Sequence, residues 1–151
     1  MMTFTATNYV FNFEALILGC FTIVLCLMVQ ALVVMFVTLK CKPAIGRLVM
    51  KKKSILAQLV FFAGILTLLL SHLTQIYIWG QTLYFFDIIN NLHQAMVFAG
   101  STYTTVGFVT DPIGIQWQLL TVIMAATGLF CFGWSTAVMF ILSQALFPSE
   151  N

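Results

Sequence analysis

Residues 102–111 read TYTTVGFVTD, a run of hydroxyls and a glycine set between long apolar stretches. This stretch decides the fold. Non-helical backbone at membrane depth leaves amide and carbonyl groups without partners unless protein buries them or they line a watery cavity. Upstream, Asn90 or Asn91 is placed to cap a helix of about three turns, Leu92 to Ser101. A helix of that length cannot cross a bilayer and suits a segment that enters it and turns back. Downstream, Pro112 and Gly114 turn the chain into another apolar run.

The surrounding runs identify the solvent. Of 151 residues, 62% are hydrophobic and 7% charged, with a mean hydropathy of +1.06, whereas a soluble domain carries about a quarter charged residues. The length allows one compact domain, and the composition makes it an all-α membrane protein. Residues 11–39, 54–80 and 116–146 each meet the roughly 20 apolar residues that a spanning helix needs. Glu14 stands at the start of the first run, where its charge suits a helix N-terminus. Gln30, polar and deep in that run, reads as bonded to a neighbouring helix. His72 is a functional candidate as an intramembrane ionisable group, and its plainer reading is a histidine hydrogen-bonded within the bundle. Tyr77, Trp79 and Tyr84 read as anchors at the outer interface, with Trp117 near the outer end of the third run.

Lys40, Lys42, Arg47, Lys51, Lys52 and Lys53 are all the lysines and arginines in the chain. They fall in KCKPAIGRLVMKKK, residues 40–53, where Pro43 and Gly46 are expected to break the helix. The positive-inside bias makes this segment cytoplasmic, with the N-terminus outside and the C-terminus inside. A net charge of +2 is too small to argue for nucleic acid. Cys20, Cys26, Cys41 and Cys131 form no C-x-x-C pair and read as structural thiols. With no basic n-region and a first run longer than an h-region, the first helix is expected to stay in the mature protein. H-E-x-x-H, G-x-S-x-G and close acid pairs are absent, and His72, His93, Asp87 and Asp111 fit no ligand spacing, so neither an enzyme nor a cofactor is expected.

Thr104 and Thr105 supply hydroxyls and Gly107 permits unusual dihedral angles. A row of carbonyls facing a common axis can replace the hydration shell of a cation. The short helix would aim its partially negative C-terminal end at the same place. One loop cannot surround a pore, so symmetry must supply the rest.

Thr104-Thr105-Val106-Gly107-Phe108 resembles the T-T-V-G-Y/F core of the potassium-channel selectivity filter, preceded by a pore helix ending in Ser101-Thr102-Tyr103. Residues 116–144, QWQLLTVIMAATGLFCFGWSTAVMFILSQ, are similar to the inner helix of a bacterial two-helix ion-channel family, in which a W-x-L-L…T-G…F-G-W-S-T-A run follows the filter. The resemblance covers about residues 54–146. It implies a homotetramer in a bacterial plasma membrane, passing potassium ions and contacting only itself and lipid. Residues 1–53 would be an added helix and cytoplasmic linker. Residues 54–151 would be the pore domain, with outer helix 54–80, pore helix 91–102, filter 104–109 and inner helix 116–146. Carbonyls of Thr105, Val106, Gly107 and Phe108, with the Thr105 hydroxyl, would form the ion sites. Asp111 would form an acidic ring at the outer mouth. Gly128 and Gly133 would be either hinges of the inner helix or small residues for close packing. The family continues T-V-G-Y-G-D where this chain continues T-V-G-F-V-T-D. Val109 replaces the second glycine, and a β-branched residue resists positive φ. The outermost site is therefore expected to be distorted, or the backbone there to run differently. The competing reading is a non-conducting membrane subunit that keeps the channel fold.

Overall fold

The computed structural model describes residues 12–109 and 113–147. Four α-helices account for nearly all of them: α1 (Phe13–Met50), α2 (Ser54–Phe85), α3 (Leu92–Tyr103) and α4 (Leu119–Leu146), the last entered through a 3₁₀ turn at Ile115–Trp117. Three apolar helices are long enough to span a bilayer, as the hydropathy predicted, and the chain is an integral membrane protein by that measure.

The helix ends explain where the elements stop. Asn12 caps α1, its side chain accepting from the amides of Glu14 at 2.9 Å and Ala15 at 3.3 Å. The same side chain donates to the carbonyl of Gln116 at 3.2 Å, fixing the start of α1 beside the start of α4. The break expected at Pro43 and Gly46 does not occur. Pro43 lies inside α1, which continues to Met50. The proline forfeits one backbone bond, while Val37 and Ile45, on either side of it, are fully buried against Leu68 and Leu142. Tertiary packing therefore outweighs the local breaker. The helix stops at Lys52, whose φ is +55°. The amides of Lys52 and Lys53 close on the carbonyls of Val49 and Leu48, both at 2.9 Å, the paired bonds of a Schellman cap. α2 ends the same way at Asp87, with φ +52°, and so runs to Phe85 rather than Gly80. Asn91 caps α3 as expected, accepting from the Gln94 amide at 3.1 Å.

α1 packs along both α2 and α4, and α3 lies on α2 and α4 at the end away from the lysines. Two apolar clusters form the core. One gathers Trp79, Leu83, Ala95, Phe98, Leu120 and Met124 around α3, and the other joins Val37, Ile45, Ala57, Leu68, Val138 and Leu142 near the basic end. Trp79, expected as an interfacial anchor, is fully buried, whereas Tyr77 is 53% exposed. The helical repeat puts Gln75, Trp79 and Leu83 on one face of α2, and that face meets α3. The indole Nε1 of Trp79 is left there without a hydrogen-bond partner, a desolvation cost of about 1–3 kcal/mol.

Candidate functional site

The polar stretch begins where α3 ends. Thr104 closes the helix, its amide and hydroxyl both on the Gly100 carbonyl at 3.1 Å and 2.8 Å. Thr105 then takes φ +60°, the left-handed conformation usually given to glycine just past a helix end. Its amide bonds the Thr102 carbonyl at 2.9 Å. To this point the pattern matches the caps at Lys52 and Asp87. In those caps the next amide closes on the helix. Here the Ser101 carbonyl is taken by the amide of Gly107 at 3.0 Å, one residue later.

That one-residue difference sends the chain off as an open, irregular segment. Gly107 has φ +65°, and Val106 and Phe108 do not have positive φ. Positive and negative φ thus alternate from Thr105 to Phe108. In a trans peptide the N–H and the preceding carbonyl point in opposite directions. With the Gly107 amide turned back onto α3, the Val106 carbonyl points away from it. Among the described residues no donor reaches the carbonyl oxygens of Thr105, Val106, Gly107 or Phe108. The Thr105 hydroxyl gives its proton to the Thr104 carbonyl at 2.7 Å, so its lone pairs are free to accept. The side chains of Val106 and Phe108 are 67% and 66% exposed.

Val109 does not adopt positive φ and packs half-buried against the cluster around α3. Its branched side chain is tolerated because the alternation stops before it. Asp111 lies outside the described residues. A cleft of about 580 Å³ opens between this strand and α4, with Thr102, Thr105, Gly107, Thr121, Val122 and Ala125 in its wall.

α4 backs the site closely. A Cβ on Gly128 would collide with the carbonyl oxygen of Tyr103, the last residue of α3, so only glycine lets the two helices meet there. A Cβ on Gly133 would meet nothing within 4 Å. The packing role considered for both residues therefore belongs to Gly128.

Tyr103 is also held from the side, by an arrangement that the sequence showed only in fragments. Its hydroxyl donates to Gln75 Oε1 at 2.9 Å and lies 3.0 Å from His72 Nδ1. Gln75 Nε2 donates to Gln30 Oε1 at 2.7 Å, and Gln30 Nε2 to Ser135 Oγ at 2.9 Å. Ser135 Oγ in turn lies 2.9 Å from His72 Nε2. Gln30 and His72 are thus bonded to neighbouring helices, as expected. They belong to a closed ring drawn from α1, α2, α3 and α4. Ser71 adds a bond to Gln30 at 3.0 Å, and Phe132 stacks on the imidazole with centroids 4.3 Å apart. The signal available in the sequence was a scatter of polar residues in each apolar run, with Ser71 and Gln75 one helical turn apart. Among the described residues no three His, Cys, Asp or Glu side chains gather as a metal site, and all four cysteines are free thiols. No protein family, curated protein or solved structure matches the chain.

Proposed function

We propose that the protein is a tetrameric cation channel, conducting potassium through residues 104–109. The observation that carries this reading is the row of carbonyls from Thr105 to Phe108 that no donor among the described residues reaches, on a segment whose φ alternates in sign. Unpaired carbonyls at membrane depth are costly unless they face water or ions, and a ring of them can substitute for a cation's hydration shell. The C-terminal end of α3 adds partial negative charge at the same place. The exposed Val106 and Phe108 side chains and the open cleft beside α4 support the need for further copies. Four copies around an axis would cover these apolar groups and turn the carbonyls inward. In this reading α3 and the strand form a re-entrant loop from the outer face, α2 is the outer helix, and α4 lines the pore. Gly133, with open space around it, is then the candidate hinge. The ion sites end at Phe108, since the alternation ends there.

Flux into proteoliposomes tests the reading. Purified protein of four-chain mass is expected to take up potassium, and Gly107→Ala to abolish uptake because a Cβ at φ +65° strains the strand. Passage of neither potassium nor sodium at any voltage or pH would sink it.

A further inference from the structure

We propose that His72 is the positioning residue for the filter segment, holding Tyr103 through a hydrogen-bond ring whose donor–acceptor order is complete around a neutral imidazole. The inference deepens the channel reading and rests on it, because Tyr103 immediately precedes the proposed filter.

The proton count of the ring is restrictive. Tyr103 and Ser135 have one hydroxyl proton each, and each glutamine has a donor and an acceptor end. The Tyr103 proton goes to Gln75, so its oxygen must accept from Nδ1–H of His72. Ser135 accepts from Gln30 and, around a neutral imidazole, gives its own proton to Nε2 of His72. Every member then donates once and accepts once around the ring. Turning both glutamine amides end for end reverses the sense. The imidazole again donates from one nitrogen and accepts on the other. In either sense it is neutral.

An imidazolium has N–H on both sides. In the first sense it would point a proton at Ser135 Oγ, which already accepts from Gln30. In the reverse sense it would point one at Tyr103, which would already accept from Gln75. Either way that contact can only reverse, since a hydroxyl oxygen accepts twice, the hydroxyl proton that had bonded the imidazole must leave the ring, and a charge is left in a site that is only 5% exposed. Among the described residues no carboxylate is at hand to meet that charge. The groups facing His72 are Gln30 from α1, Tyr103 from α3, and Ser135 and Phe132 from α4, with Ser71 and Gln75 from its own helix. The thiols of Cys26 and Cys131 flank Tyr103. Glu14 starts α1 and Asp87 lies just past α2, each far along its helix from the ring. His93 is in the first turn of α3, ten residues and about 15 Å of helix from Tyr103. Protonation therefore upsets the donor–acceptor order of the ring that holds Tyr103, at Ser135 in the first sense and at Tyr103 itself in the reverse one. The anchored strand is thus present when the imidazole is neutral and is lost as pH falls.

Glutamine at position 72 offers one donor and one acceptor at similar separation and does not titrate. Potassium flux in wild-type proteoliposomes should fall at least about fivefold between about pH 7.5 and about pH 5, and in His72→Gln less than about twofold. Equal pH profiles for the two proteins would overturn the proposal. Nitrogen NMR of histidine-labelled wild-type protein, with His93→Gln identifying the second histidine, reads the ring without flux or a His72 variant. One protonated and one accepting nitrogen on His72 at neutral pH is expected, and two protonated nitrogens there would overturn the proposal. If the NMR signature appears and no cation passes at any pH, the channel reading fails while the ring stands.

Discussion

Two glycines one and a half turns apart in α4 carry opposite expectations. At Gly128 a β-carbon would meet backbone, the carbonyl of Tyr103, which cannot swing aside as a side chain would. Overpacking of this kind costs about 1–3 kcal/mol. At Gly133 there is open space, and a substitution that touches nothing stays within about 0.5 kcal/mol. Unfolding of the purified protein by added dodecyl sulfate should show Gly128→Ala clearly destabilised and Gly133→Ala close to wild type. Equal shifts would mean that α3 and α4 do not meet at Tyr103. Thr105 is the other residue where local chemistry and position conflict. Left-handed backbone costs a non-glycine residue about 1–2 kcal/mol, and Lys52 and Asp87 bear it as ordinary helix stops. Beyond Thr105 the chain runs on as an open strand, whereas beyond the other two it closes into a cap.

At the scale of elements, the disagreement between sequence and structure centres on Pro43. Its missing amide leaves the Leu39 carbonyl without its helical partner, and proline inside a helix is about 3 kcal/mol less favourable than alanine. Pro43→Ala should restore that bond and slow amide exchange over residues 39–47 by at least about tenfold, as read by hydrogen-exchange mass spectrometry. Unchanged or faster exchange would show that the helix is not continuous there in the protein. Local signals made the spans legible through length and hydropathy, and α3 through Asn91 and the distance to the polar stretch. The continuity of α1 was not legible, because it depends on Val37 and Ile45 meeting α2 and α4. Trp79 was misread for a related reason: an aromatic near a helix end suits an interface, and only the position of α3 turns it inward. The polar stretch was recognisable as a motif, whereas the ring under it requires knowing which helices are neighbours.

Across the whole molecule, charge and polarity are sorted along one axis. The six basic residues lie at one end, on or just after α1, and Asp87 lies just past the end of α2 that α3 shares. Between them each long helix carries apolar core on both sides of the ring. Gln30 is ten residues before Lys40, about 15 Å, or half of a hydrocarbon core about 30 Å thick. With Lys40 at one boundary of that core the ring therefore sits near mid-membrane, where hydrogen bonds have little competition from water. α1 is about 57 Å long by its 38 residues, so its basic turns project beyond the core on that side. A direct test uses Lys52→Cys and Asp87→Cys, both exposed positions, in a Cys20→Ala, Cys41→Ala background. In intact cells an impermeant maleimide should label Asp87→Cys and spare Lys52→Cys, and inverted vesicles should reverse the pattern. Labelling of Lys52→Cys from outside would invert the molecule and move the strand of unpaired carbonyls to the cytoplasmic half. Labelling of both positions from one side would instead contradict the crossing of the membrane by α2.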